Sequence, residues 1–330
     1  MDAEAQVIIK GLETDLQNGI DHMDIDRSVH NPEFDTVKFK GTMANLGKIL
    51  SADTTKLTLA CKPPCKTTDM AAMVKGMQGT LRRITGFVDS IPLDAGKTYI
   101  EHIQKLVKYA FIEIISLCKS VAEAKDADKI DQILQSTGSV WEACKQFETH
   151  TAKDNREAVN RIWQTQTELI ADAQEELKEF IDEQNEDSGD NDDDEDEDDG
   201  WGDIMSNGTK MTPVQLETCK KCQQAIKMTT MVFKKIQLRC IKVKPSSDDM
   251  EANAWLDKIC KSGQLVSDRV DELASSFYEE DDDLKTYIES FVASALGLID
   301  LVEAQVKEEE HIKWFQMCRK QYELLQIKTL

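Results

Sequence analysis

The amino-acid sequence predicts an all-α protein of two antiparallel helical bundles, each with four to five helices, joined by a disordered acidic linker. Three observations lead to this prediction. Apolar residues recur every three or four positions along several long segments, sustained alternation of period two is absent, and the six prolines of the 330-residue chain fall between these segments. Apolar residues at this spacing form a stripe along one side of a helix, which suits shallow-angle packing against neighbouring helices.

The first half of the chain carries recognisable helix starts. Asn31-Pro32-Glu33 has the order of an N-cap, a first helical residue and a first-turn acid. Another helix begins at Asp94 or a neighbouring residue. Its apolar positions follow one another in steps of four and three, at Ile103, Val107, Ala110, Ile114, Leu117 and Val121. Such regular steps predict a buried stripe along this helix.

Three helices of the second half show the same spacing, and Thr212-Pro213 repeats the signal of a cap followed by proline at the start of the first one. Its stripe contains Cys219, Cys222, Ile226, Thr229, Phe233, Ile236 and Cys240. The next stripe contains Ala252, Leu256, Ile259, Gly263, Val266, Val270, Leu273 and Phe277. The last contains Leu284, Ile288, Phe291, Ala295, Leu298 and Val302. Helices joined by short connections pack as antiparallel neighbours.

One segment interrupts the helical pattern. Thirteen of the 18 residues from Asp182 to Asp199 are acidic. Such a run repels itself and has no apolar side chains to bury. We therefore predict an N-terminal helical bundle at residues 1–181, a disordered acidic linker at 182–211 and a C-terminal four-helix bundle at 212–330, with five or six helices before the linker and four after it.

Composition excludes several classes of protein. The chain has 40 Lys and Arg against 62 Asp and Glu, a formal net charge of −22, so direct binding to nucleic acid is not expected. No apolar run approaches the roughly 18 to 20 residues that span a bilayer, and the N-terminus lacks the pattern of a signal peptide. The nine cysteines are an odd number, which favours free thiols in a reducing compartment, here the cytoplasm and nucleus.

The sequence offers little support for catalysis or metal binding. Cys219-Lys-Lys-Cys222 has the spacing of zinc and redox sites, but both sulfurs belong to the apolar stripe, which favours core packing over a metal. Di-iron bundles use two Glu-x-x-His motifs, and this chain has one, Glu308-x-x-His311. Glycine-rich phosphate loops, Gly-x-Ser-x-Gly and His-Glu-x-x-His are absent from the sequence. We expect a non-enzymatic protein without cofactors.

The helix predicted from Thr212 to Val243 has an unusual charge. It carries seven basic residues against one acid, Glu217. With Cys219 at heptad position a, six lysines fall at positions b and c, on the side away from the core. We predict one basic stripe there as a candidate interaction surface, with an ordinary solvated face as the alternative. The stripe consists of Lys220, Lys221, Lys227, Lys234, Lys235 and Lys242.

Five segments resemble a known family, the cyclin-D-binding proteins, also described as cyclin-D-interacting proteins and helix-loop-helix inhibitors. They are LSADTTKLTLA (50–60), SVWEACKQ (139–146), DNREAV (154–159), DAQEELKEF (172–180) and VDELASSFY (270–278). The resemblance implies two helical bundles that are distantly similar to those of vinculin and α-catenin.

In function, the resemblance implies a negative regulator of cell-cycle progression, present in nucleus and cytoplasm, that binds a D-type cyclin and its kinase or helix-loop-helix transcription factors. No basic region precedes a heptad leucine run, which argues against direct DNA contact. A cytoskeletal or adhesion adaptor of the vinculin type, which binds amphipathic helices of its partners, is the alternative. The sequence does not predict the oligomeric state.

Overall fold

The computed structural model describes residues 3–23, 33–62, 65–123, 130–186, 211–243, 250–278 and 283–328. Within these ranges all regular secondary structure is helical, which confirms the predicted all-α class. The helices are α1 (Ala3–Met23), α2 (Thr36–Cys61), α3 (Thr67–Val88), α4 (Lys97–Glu123), α5 (Ile130–Thr149), α6 (Asn155–Glu186), α7 (Pro213–Ile236), α8 (Met250–Ser275), α9 (Leu284–Glu303) and α10 (Glu309–Lys328). None of them, in the described parts of the chain, is long and apolar enough to cross a bilayer.

The predicted acidic linker, residues 182–211, overlaps the end of α6. That helix continues to Glu186, so residues 182–186 are helical. Residues 187–210 lie outside the described residues, which resume at Met211. Six helices precede this segment and four follow it among the described residues, in agreement with the numbers that the sequence predicted.

The chain folds into two compact units. One consists of Met1–Val159 with Ser247–Asp257, and the other of Asn160–Ser246 with Lys258–Leu330. Most of α6 therefore groups with the helices after the acidic segment, whereas the boundary predicted from the sequence falls after residue 181. The domain boundaries drawn from the sequence stay a prediction.

Helices α1 to α5 of the first unit form a closed ring. The neighbours around the ring are α1 and α3, α3 and α2, α2 and α5, α5 and α4, and α4 and α1. Helices α2 and α5 run antiparallel, because Lys48 Nζ donates to Glu148 Oε1 at 3.2 Å and the hydroxyls of Thr58 and Thr137 meet at 2.9 Å. The apolar positions predicted along α4 are all buried: Ile103, Val107, Ala110, Ile114, Leu117 and Val121. The burial predicted from the spacing of apolar residues is confirmed for this helix.

Helix α2 begins later than the sequence predicted. Asn31 and Pro32 lie outside the described residues, and the helix starts at Thr36. Its N-cap is Asp35, whose carboxylate accepts hydrogen bonds from the amide of Val37 at 2.9 Å and from that of Lys38 at 3.1 Å. A carboxylate at the N-cap accepts hydrogen bonds from first-turn amides that have no partner within the helix. The helix therefore starts after Asp35, and the start predicted at Asn31-Pro32-Glu33 is wrong.

The N-terminus of α4 is capped by side chains that are distant in sequence. The carboxylate of Asp257 accepts from the amides of Lys97 at 2.8 Å and Thr98 at 3.0 Å. The side-chain oxygen of Asn155 accepts from the amide of Tyr99 at 2.8 Å, and its nitrogen donates to Asp257 Oδ1 at 3.0 Å. Asn155 at the start of α6 and Asp257 in the second turn of α8 thereby contact the start of α4.

In the second unit, Trp163 of α6 contacts both α7 and α8. Its buried ring stacks on Phe233 of α7 with centroids 4.5 Å apart, and its indole N–H donates to the Phe233 carbonyl at 3.0 Å. Gly263 of α8 lies against the same ring. One turn before Phe233 on α7, the hydroxyls of Thr229 and Tyr322 of α10 meet at 2.7 Å. Helix α9 packs on α10.

Candidate interaction surface

Helix α7, which carries the predicted lysine stripe, begins with a complete capping box. The Thr212 hydroxyl accepts from the Gln215 amide at 3.3 Å, and Gln215 Oε1 accepts from the Thr212 amide at 2.9 Å. Pro213 occupies the first helical position, where a missing N–H costs nothing. The cap that the sequence predicted at Thr212-Pro213 is confirmed.

The inner face of α7 is a packing surface. Cys219 and Cys222 are fully buried, as predicted, together with Ile226 and Phe233. Burial raises the pKa of each thiol to about 12, because a thiolate loses its hydration there. A thiol that stays protonated at neutral pH is a poor nucleophile and a poor metal ligand. The described residues contain no group of three or more His, Cys, Asp and Glu arranged to hold a metal ion.

The lysines on the outer half of α7 do not share one environment. The half-buried Lys220 donates from Nζ to Asn185 Oδ1 of α6 at 3.1 Å. Lys235, also half-buried, places its ammonium 4.6 Å from the centroid of the Trp314 ring of α10, which is a cation–π contact. Lys220 therefore contacts a side chain of α6, and Lys235 contacts one of α10.

The other four lysines also differ among themselves. Lys221 is half-buried, and its ammonium lies 3.5 Å from the carboxylate of Glu217, one turn earlier in α7. The three that are exposed to solvent are Lys227, Lys234 and Lys242. Three lysines of the predicted stripe are thus exposed, and the other three contact side chains of α6, α7 and α10. Its role in binding stays a prediction.

A groove of about 380 Å³ lies between α7 and α10 at one end of the predicted stripe. Its lining is apolar on one part and polar on the other. The apolar side chains are Ala225, Met228, Leu324 and Leu325, and the charged ones are Lys220, Lys221 and Glu217, two bases against one acid. Sequence reasoning found the lysines and missed the groove, because the heptad labels of α7 carry no information on how closely α10 approaches.

A second, smaller cavity of about 190 Å³ lies in the first unit, where α2 begins. Three aromatic rings border it. Phe39 stacks on Phe87 with centroids 4.4 Å apart, and Phe34 tilts against Phe39 at 5.4 Å. The lining also contains Glu33, Asp35 and Lys38, so two acids face one base in this cavity.

The comparisons with known proteins concern most of the chain. Residues 42–183 match the family model described as "Grap2 and cyclin-D-interacting, N-terminal", and residues 190–300 match its C-terminal counterpart. A cyclin-D1-binding protein 1 homolog of Xenopus laevis is 30% identical over 251 residues, which cover 74% of this chain and 73% of the relative. The chain belongs to the Grap2 and cyclin-D-interacting family.

Other relatives in the family are more distant over a similar length. A cyclin-D1-binding protein 1 homolog of Danio rerio is 27% identical, with 70% of this chain and 67% of the relative covered. The cyclin-D1-binding protein 1 of Bos taurus is 26% identical, with 74% and 70% covered. These matches confirm the resemblance that the sequence segments indicated.

Proposed function

We propose that this chain is a non-enzymatic interaction protein that binds a D-type cyclin and restrains progression of the cell cycle. One observation carries the proposal: relatives named as cyclin-D1-binding proteins match 70% to 74% of this chain. An all-α architecture is compatible with such a role, because grooves between helices bind amphipathic helices of partner proteins.

The finer points of the proposal come from the family resemblance. The D-type cyclin is engaged together with its kinase, and helix-loop-helix transcription factors are a second class of partner. The chain acts in the nucleus and the cytoplasm, without a cofactor. The buried thiols of α7 support a structural use of its cysteines, which leaves the surface of the helix for protein contacts.

A direct binding experiment tests the proposal. The purified full-length chain is titrated with a recombinant D-type cyclin, alone and in complex with its kinase, and binding is followed by calorimetry. A cyclin of another class at equal concentration is the control. We expect saturable binding of the D-type cyclin and none of the control.

A second measurement addresses restraint. Kinase activity of the cyclin–kinase complex toward a peptide substrate should fall as this chain is added. Absence of D-type cyclin binding, together with capture of actin or junction proteins from extract, would overturn the proposal in favour of the vinculin-type adaptor.

A further inference from the structure

The surface between α7 and α10 is formed by two antiparallel neighbours. Their direction follows from two contacts, Thr229 with Tyr322 and Lys235 with Trp314, in which a later position on one helix meets an earlier position on the other. We propose that the groove at this surface binds an amphipathic helix of the partner whose polar positions carry Asp and Glu. The inference rests on the proposed function only in naming the D-type cyclin as that partner.

The apolar part of the groove suits aliphatic anchor residues of a helix. Ala225 and Leu325 are buried in it, while Met228 is half-buried and Leu324 keeps 40% of its surface exposed. The mixture leaves apolar surface that a partner can cover. The unbranched side chain of Met228 can adjust to a partner, as methionines do on surfaces that bind helices.

The length of the groove fits a helix. On α7 its lining runs from Glu217 to Met228, a distance of roughly 17 Å at 1.5 Å per residue. About three turns of a partner helix match this length, enough for anchors at positions i, i+4 and i+7. In the part of the chain that the structure describes, regular structure is entirely helical, so no described sheet edge is available for a partner strand.

The charge around the groove indicates which charge the polar residues of the partner helix carry. Lys220 and Lys221 line it together with one acid, Glu217, whose carboxylate lies 3.5 Å from the Lys221 ammonium. The segment from α7 to Lys242 carries seven basic residues against this single acid. This is a local excess of positive charge in a chain of formal net charge −22. Complementary charge speeds encounter and excludes wrong partners, so an acidic helix is selected over a basic one.

The test uses two synthetic helical peptides as probes with the intact chain. Both have about four turns and carry leucine at i, i+4 and i+7. One has glutamate at the flanking positions and the other has lysine. Fluorescence anisotropy should show binding of the glutamate peptide only, and its affinity should fall above roughly 0.15 M salt, where the Debye length is about 8 Å.

Substitutions in α7 separate the groove from the rest of the predicted stripe. Lys221→Glu should weaken the glutamate peptide about tenfold, because it reverses a charge that lines the groove. Lys227→Glu makes the same change at an exposed lysine of α7 that does not line the groove, and it should have at most about a twofold effect. Met228→Gln should weaken binding, whereas the exposed Met231→Gln, outside the groove lining, should leave it unchanged.

The same four variants are then titrated with the D-type cyclin. Equal losses for Lys221→Glu and Lys227→Glu, with no effect of Met228→Gln, would replace the groove by a diffuse electrostatic surface. The wild-type chain could fail to bind cyclin while the variants change the affinity for the glutamate peptide as expected. This result would overturn the proposed function but would support the groove as a binding site for an acidic helix. Cyclin binding that none of the variants alters would support the proposed function and would show that the groove is not where the cyclin binds. Unchanged circular dichroism and melting temperature confirm that the variants are folded.

Discussion

The close packing of α8 against Trp163 can be tested by a substitution of Gly263. It lies in the middle of α8, where alanine is ordinarily the better helix former. An added Cβ at this position would lie 2.4 Å from Cζ3 of Trp163 and 3.0 Å from Oε1 of Gln166. Gly263→Ala should therefore change the free energy of unfolding in two opposite ways. The higher helix propensity of alanine stabilises α8, and the close contact of its Cβ with Trp163 destabilises the packing.

The two terms have comparable magnitudes, and the surroundings of Trp163 decide the outcome. Replacing a helix-interior glycine by alanine gains about 1 kcal/mol. Overpacking a core costs about 1 to 3 kcal/mol, and the upper part of that range applies where the neighbour cannot move. Trp163 is held by its stack on Phe233 and by its 3.0 Å hydrogen bond to the Phe233 carbonyl. We expect a net loss in the free energy of unfolding of about 1 to 2 kcal/mol.

Urea unfolding, followed by circular dichroism and tryptophan fluorescence, measures this loss. Gly297→Ala in α9 is the matched control, since an added Cβ there meets nothing within 4 Å. The control should raise the free energy of unfolding by about 0.5 to 1 kcal/mol. Equal stabilisation by both substitutions would refute the close approach of α8 to Trp163.

Four further predictions concern caps and thiols. Asp257→Ala should lower the free energy of unfolding by about 1 to 2 kcal/mol, since two amides of α4 lose their acceptor, and Asp257→Asn, which keeps one oxygen, should lower it less; equal effects in urea unfolding would contradict this account. Thr212→Ala should cost about 1 kcal/mol by removing the cap of α7, and a Thr212→Ser variant that is equally destabilised would contradict the role of the hydroxyl. The pair Cys219→Ala and Cys222→Ala should together cost about 1 to 3 kcal/mol of packing without changing metal content. In the wild type, stability should fall as pH rises from 9 towards 12, because these thiols ionise near 9.0 when unfolded and near 12 when folded, and the double variant should show a shallower fall in a pH series of urea midpoints.

Buried faces of single helices were predictable from the sequence. The steps of three and four residues along α4 and α7 predicted which side chains are buried, from Ile103 on α4 to Phe233 on α7. The reason is physical: a helix that packs against neighbours on one side must present apolar residues at the period of the helix itself. Thr212-Pro213 was equally informative, because a cap acts only on residues within one turn.

Contacts between distant segments were not predictable by the same reasoning. Asp257 lies 160 residues after Lys97 and accepts a hydrogen bond from the Lys97 amide. No local sequence pattern at either residue predicts this contact. The separate environments of the stripe lysines escaped prediction for a related reason. Heptad labels give the direction in which Lys220 and Lys235 leave α7, but they do not state that α6 and α10 lie beside those directions.

The acidic segment and the packing of the helices divide the chain at different places, and the difference has a physical cause. A run of acids marks where the chain cannot pack, which says nothing about which helices share a core. Asn155, in the first turn of α6, bonds to the start of α4, whereas Trp163, two turns later, stacks on Phe233 of α7. Residues of one continuous helix thus contribute to two cores. Successive turns of α6 therefore depend on different neighbours, Asn155 on the start of α4 and Trp163 on Phe233 of α7.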